Sequence, residues 1–94
     1  MNDGAMLVDV RGEIDIAVAD RLRRMLGDVA TRVRPPRIVV DLLHVTFIDS
    51  TGLGVLANGR NTARRMGIGF TVRRPSAFVA RLLRQTGLYD ILVT

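Results

Sequence analysis

The 94-residue chain contains no cysteine, no lysine and no tryptophan, and its only histidine is His44. The absence of cysteine excludes disulfides, thiolate metal sites and cysteine nucleophiles, and it is typical of cytoplasmic proteins. One histidine leaves little material for a zinc site or for histidine-based catalysis. The sequence therefore offers no candidate metal site and no conventional catalytic triad.

Long apolar runs are also missing. No run approaches the roughly 18 residues that a membrane-spanning helix needs, and the start, Met1-Asn2-Asp3-Gly4, lacks the basic and apolar regions of a signal peptide. Hydrophobic residues make up 48% of the chain and charged residues 24%, which is ordinary for a globular domain. We therefore expect one cytoplasmic domain over residues 1–94, without a membrane partner.

The charge is unusual, because all fourteen basic residues are arginine and only nine residues are acidic, for a net charge of +5. Such a charge is consistent with a surface for nucleic acid or an acidic partner, or with a solvated basic exterior. The second interpretation is favoured, because the arginines are spread along the chain and only one tyrosine and three phenylalanines could stack on bases. Nucleic-acid binding is not the function that we expect.

Strand and helix patterns alternate along the chain and predict an α/β fold. The predicted strands are Met6–Val10, ended by Arg11-Gly12, then Arg37–Leu43, Ile68–Val72 and Asp90–Thr94. One predicted helix runs from Asp15 to a stop at Pro35-Pro36, the next spans Leu53–Met66 after a loop at His44–Asp49, and the third is capped by Ser76 and closed by Gly87. This order predicts a mainly parallel sheet of about four strands with helices packed against it.

The most informative segment is Asp49-Ser50-Thr51-Gly52-Leu53-Gly54, which places an acid and two hydroxyls where a strand passes into a helix. Helix N-termini favour anions, so a hydroxyl here can be an N-cap, a nucleophile or a phosphorylation site. Either Asp49 or Ser50 could be the N-cap. A hydrolase is disfavoured, because Ile48 stands where a nucleophile elbow has glycine. Asp15 is the one other carboxylate expected near Asp49.

Several blocks together resemble the STAS domain family, and within it the bacterial anti-sigma factor antagonists. The blocks are Gly12–Asp15, Ile38–Leu42, Phe47–Leu56, Pro75-Ser76 and the Val79, Leu82, Gly87-Leu88 pattern, and the resemblance covers about residues 7 to 93. It implies a STAS-type mixed sheet. The first strand and the last helix of the family are expected to be missing, which would leave a sheet edge and one face open. A monomer is expected, with a dimer as the alternative.

The resemblance also implies a function that is not enzymatic and needs no cofactor. Such proteins bind an anti-sigma factor that is itself a serine kinase, and so release a sigma factor for transcription in a stress response. The kinase phosphorylates the serine after the aspartate, here Ser50 with Thr51 as the rival, and a serine phosphatase reverses this partner switching. The implied partner-binding residues are Asp15, Asp49, Ser50, Thr51, Gly52, Leu53 and Gly54, with Gly52 and Gly54 interpreted as room for the kinase. The alternative is a STAS scaffold module of a stress-signalling complex without its own sigma-factor partner.

Overall fold

A computed structural model describes residues 4–93 of the chain. Its three strands are β1 (Met6–Ile14), β2 (Arg37–Ile48) and β3 (Gly69–Arg73), and its helices are α1 (Ile16–Asp28), α2 (Ser50–Arg65), α3 (Ala77–Gln85) and α4 (Tyr89–Leu92). A π-helical turn, Val29–Val33, continues α1. The strands are all parallel, in the order β1-β2-β3. The predicted α/β class with a parallel sheet and packed helices is confirmed.

The core lies between the sheet and the helices. Apolar side chains of α1 and α2, such as Leu22 and Leu56, meet Val40 of the central strand, and Leu83 of α3 and Leu92 of α4 join the same cluster. Leu56, Val40, Leu83 and Leu92 are fully buried. Because each such side chain contributes about 1.5–3 kcal/mol on burial, this one cluster fixes how the helices sit on the sheet.

Strand β2 continues well past Leu43, so the predicted loop at His44–Asp49 is wrong, and His44 is an exposed strand residue. The buried side chains in this half are Leu42, Val45 and Ile48, three residues apart. Simple alternation would turn Val45 outward. The register with β1 shifts between Asp9 and Arg11 and again between Gly12 and Glu13, and each shift places one extra residue on β2. Such bulges return each third residue to the core.

Strand β1 also passes through the predicted stop at Arg11-Gly12 and ends at Ile14. Gly12 has a φ of +83°, a conformation that favours glycine. It lies at the second register shift, where Gly12 pairs with Val45 and Glu13 with Phe47. The glycine therefore adapts β1 to the bulged partner strand instead of ending it.

The predicted fourth strand, Asp90–Thr94, is wrong for the residues that the structure describes. Tyr89–Leu92 forms the short helix α4, and only Val93 makes a single bridge, to Val72 of β3. The helical turn directs Leu92 into the core, and the Thr71 hydroxyl donates to the Leu92 carbonyl at 3.2 Å. Thr94 lies outside the described residues.

Candidate functional site

Two aspartates cap helices at the same end of the sheet. Ile14 and Ile48, the last residues of β1 and β2, are register partners, so Asp15 and Asp49 follow neighbouring strand ends. The Asp49 N–H donates to the Ile14 carbonyl at 3.3 Å, which ties the two ends together. The structure therefore places Asp15 and Asp49 at one face, as the sequence predicted.

Each carboxylate accepts a hydrogen bond from the first turn of the helix that follows it. Oδ1 of Asp15 accepts from the Val18 N–H at 3.0 Å, and Oδ1 of Asp49 accepts from the Gly52 N–H at 2.9 Å. Of the two N-cap candidates for α2, the structure thus selects Asp49. Helix N-caps of this type contribute about 0.5–2 kcal/mol, so both aspartates have a structural role whatever else they contact.

Ser50 is the first residue of α2 and is exposed to solvent. Within residues 4–93 its hydroxyl makes no hydrogen bond, because Asp49 already caps the helix. Thr51 is exposed in the same way. Both hydroxyls are therefore accessible to another molecule, and exposure alone does not choose between them.

Gly52 serves the packing of α2 against the strand ends rather than the approach of a kinase. Gly52 is buried, and a Cβ there would lie 2.7 Å from Cγ1 of Ile48 and 2.8 Å from Cγ2 of Ile14. Glycine at position 52 lets the start of α2 lie directly on both strand ends. The interpretation of Gly52 as room for the kinase is thus wrong, and only Gly54, with no atom within 4 Å of an added Cβ, faces open space. Leu53 is also buried, so neither Gly52 nor Leu53 offers its surface to a partner.

An exposed aromatic pair lies at the same end of β2 and was not predicted from the sequence. Phe47 and Phe78 are 40% and 42% exposed, and their rings stack with centroids 5.8 Å apart. Phe47 comes just before the buried Ile48, and Phe78 stands in the first turn of α3. Aromatic side chains exposed in this way are frequent anchors in protein interfaces.

Three carboxylates lie at the end of the sheet where Ser50 follows β2. Glu13, Asp15 and Asp49 surround the two strand ends, and Glu13 is the register partner of Phe47. Among the described residues, none of these three carboxylates forms an ion pair. A phosphate on Ser50 would therefore add negative charge beside the carboxylate of Asp49 and near that of Asp15.

Comparison with known proteins identifies the family. The STAS domain profile matches residues 1–94. The chain belongs to the STAS domain family. The Anti-sigma-B factor antagonist of Bacillus subtilis is 34% identical over 91 residues, which cover 97% of this chain and 82% of the relative.

Solved structures show the same fold. An anti-sigma factor antagonist from Mycobacterium paratuberculosis is 34% identical, with a TM-score of 0.77 over 98% of this STAS domain and 77% of that chain. The Bacillus cell fate determinant SpoIIAA in its phosphorylated form has a TM-score of 0.78 over 98% of this chain and 83% of its own. At 15% identity, SpoIIAA supports the fold alone.

The part of this STAS domain that the structure describes contains neither a candidate metal site nor a candidate membrane-spanning helix. Residues 4–93 contain no group of three or more histidine or acidic side chains that could hold a metal ion. Over the same residues, no helix has the length and hydropathy that crossing a bilayer requires.

A second cluster of charges fixes the position of α3. Asp41 of β2 is buried and forms ion pairs with Arg74 and, at 3.3 Å, with Arg73. The hydrogen bond from Arg74 outweighs the cost of burial and lowers the pKa of Asp41 to about 2, with help from the Leu43 N–H at 3.0 Å. The two arginines lead into α3, which carries Phe78. The ion pairs of Asp41 therefore brace the connection from β3 to α3, and this connection leads to Phe78 of the aromatic pair.

This brace predicts a pH dependence of stability. The pKa of Asp41 is about 2 in the folded chain against 3.8 for the free group, so its stabilisation is complete above pH 3.8 and is lost as the pH falls toward 2. With a discount for the half-exposed guanidinium groups, the stabilisation should be about 1–2 kcal/mol. Urea unfolding of wild type and Asp41→Asn should differ by this amount at pH 7, and the difference should shrink as the pH falls through 3.8 and 2.

The exposed pair between Asp20 and Arg23 supplies the control for that measurement. Asp20→Asn should change the unfolding free energy much less than Asp41→Asn at pH 7, because exposed ion pairs are screened by water. Equal effects of the two substitutions at pH 7, or a wild-type advantage over Asp41→Asn that is as large at pH 2 as at pH 7, would contradict the brace.

Proposed function

We propose that this STAS domain is an anti-sigma factor antagonist whose binding is controlled by phosphorylation of Ser50. The observation that carries the proposal is the exposed Ser50 hydroxyl at the start of α2, left without a capping task by Asp49. Supporting relatives include the Anti-sigma F factor antagonist of Paenibacillus polymyxa, 30% identical over 95% of this chain. Action on sigma-factor release implies a cytoplasmic protein.

In the unphosphorylated state, the domain binds an anti-sigma factor that is also a serine kinase and thereby releases a sigma factor. The proposed contact surface consists of Asp15, Asp49, Ser50, Thr51 and Gly54, with the aromatic pair Phe47 and Phe78 as its apolar part. The acidic residues favour a partner surface with positive charge. The function is binding, and Ser50 is a substrate of the partner rather than a catalytic group.

Phosphorylation changes the charge of this surface without requiring the fold to open. A phosphate adds about −1.5 to −2 charges at neutral pH, and the free N–H groups and dipole of the α2 N-terminus stabilise an anion there. The cost arises at the interface, where the phosphate stands beside Asp15 and Asp49 and must lose water when the partner docks. Release of the kinase follows, and a serine phosphatase restores binding.

The assignment is tested by incubating the domain with an anti-sigma factor kinase of its own cell and ATP, followed by intact-mass analysis. Wild type should gain one phosphate, Thr51→Ala should gain it at a similar rate, and Ser50→Ala should gain none. Phosphate on Ser50→Ala at the wild-type rate would exclude Ser50 as the acceptor. Tight binding of the kinase with no phosphate on any variant would leave an antagonist without this switch and contradict the regulatory part of the proposal.

A further inference from the structure

Strand β1 is an edge of the sheet. The order β1-β2-β3 leaves one side of β1 without a neighbour, and across residues 4–93 no strand pairs with that side. The opposite edge, β3, is partly covered by the bridge from Val93 to Val72. An uncovered edge presents a row of N–H and C=O groups that can pair with another chain.

The charges along β1 are complementary to themselves. Asp9 and Arg11 are both exposed and form an ion pair at 3.0 Å, whereas Val10 between them is buried toward the core. In an antiparallel pair, directly opposed residues lie on the same face of the sheet. A two-fold axis at Val10 therefore sets Asp9 of each copy opposite Arg11 of the other, which gives two pairs of opposite charges.

Neighbouring registers lack this match. An axis at Asp9 would oppose the Asp9 carboxylates of the two copies, and like charges directly opposed across strands are destabilising. An axis at Val8 would oppose Leu7 to Asp9 of the second copy and leave each charge without an opposite charge facing it. The pattern of charges thus favours one register, centred on Val10.

An apolar groove follows the same edge. It has a volume of about 250 Å³ between β1 and α1, and its lining includes Val8, Val10, Val18 and Met25. Met25 is 49% exposed although it lies on the apolar side of this groove. A second copy paired through β1 would bring its own α1 alongside, so that the two Met25 side chains could fill the space between the helices.

From the open edge, the charge match and the groove, we propose that this chain forms a two-fold homodimer by antiparallel pairing of β1, so that one sheet continues through both copies. Gly12, with its positive φ, interrupts the ladder. Because an axis at Val10 sets position 8 opposite position 12, the regular paired stretch is residues 9–11 of each copy. The interface is therefore small, and the dimer is expected to dissociate on dilution. Ser50 lies beyond the end of β2, so dimerisation is independent of the proposed switch.

Sedimentation equilibrium of the isolated chain, with no kinase present, tests the dimer. Wild type should show a concentration-dependent dimer, and Asp9→Arg and Arg11→Asp should each weaken it at least tenfold, because each opposes like charges. The double variant Asp9→Arg/Arg11→Asp should restore it, since the opposite charges face each other again. Asp20→Arg, an equal change of charge on a residue outside the groove lining, should leave it unchanged. A chain that stays monomeric at all concentrations, or single variants that dimerise like wild type, would overturn the proposal.

The register has its own test, because the chain has no cysteine and any disulfide must join two copies. Val10→Cys should crosslink under mild oxidation, since position 10 faces itself across the axis at a distance that a disulfide can span. Leu7→Cys should crosslink far more slowly, because position 7 lies three residues from the axis, so that its two copies are far apart on opposite sides of it. Faster crosslinking of Leu7→Cys than of Val10→Cys would place the axis elsewhere and contradict the proposed pairing. Kinase binding by a monomeric variant would still be measurable, so failure of the dimer and failure of the proposed function are distinguishable.

Discussion

A Ser50→Asp variant is expected to bind the anti-sigma factor at least ~100-fold more weakly than wild type, which corresponds to about 2.7 kcal/mol. The new carboxylate stands beside Asp49 and near Asp15 at the same sheet end, and it would have to lose water when the partner docks. The fold should survive, because a carboxylate in the first turn of a helix stabilises it by about 0.3–1 kcal/mol. Calorimetric titration measures the affinity, and thermal unfolding checks the fold.

Two variants separate charge at Ser50 from other effects. Ser50→Ala should bind within a few-fold of wild type, because the hydroxyl makes no hydrogen bond in the described residues that the helix needs. Thr51→Asp places the same charge on the next exposed residue and should cost less affinity if the contact is centred on Ser50. Wild-type affinity in Ser50→Asp would contradict the switch, and an equal loss in Ser50→Ala would show that the hydroxyl itself is a binding contact.

The helices could be predicted well from the sequence, because their signals are local. Ser76 caps α3 by accepting from the Val79 N–H at 3.3 Å, and α1 begins directly after Asp15. For α2 the observed N-cap, Asp49, is one of the two predicted candidates. The helix begins at Ser50, three residues before the predicted start at Leu53. The glycines discouraged a helical assignment, and the requirement that the helix start lie on Ile14 and Ile48 is visible only in three dimensions.

The second half of β2 could not be predicted, because its pattern depends on another strand. Leu42, Val45 and Ile48 repeat every three residues, which matches neither strand alternation nor a helix. The bulges that reconcile this spacing with a strand exist only in the pairing with β1. The C-terminal segment was predicted wrongly because its short apolar run is typical of a strand. In the structure it forms a helical turn that buries Leu92.

The candidate site was partly predictable for the same reasons. The Asp15–Asp49 neighbourhood follows from two helix starts after parallel strands, which sequence order alone implies. The aromatic pair could not be found, because Phe47 and Phe78 belong to different elements, and the path of the chain from β3 into α3, where Arg73 and Arg74 pair with Asp41, brings them together. Long-range contacts of this kind leave no periodic signal in the chain.

Gly52→Ala is expected to lower the free energy of unfolding by about 1–3 kcal/mol, the usual cost of overpacking a core. The added methyl would lie 2.7 Å from Ile48 and 2.8 Å from Ile14, and both isoleucines are buried to about 1% exposure or less, so neither side chain has space to retreat into. The start of α2 would have to lift from the strand ends and move Ser50 with it. Urea unfolding of the isolated chain measures the loss.

Gly54→Ala is the matched control, because it makes the same change two residues later in the same helix. An added Cβ there meets no atom within 4 Å, so only the helix propensity should act, and the unfolding free energy should rise by up to ~1 kcal/mol. The two alanines are thus expected to shift stability in opposite directions. If both raised it, the start of α2 would have room above Ile14 and Ile48, and the tight seating that presents Ser50 would be refuted.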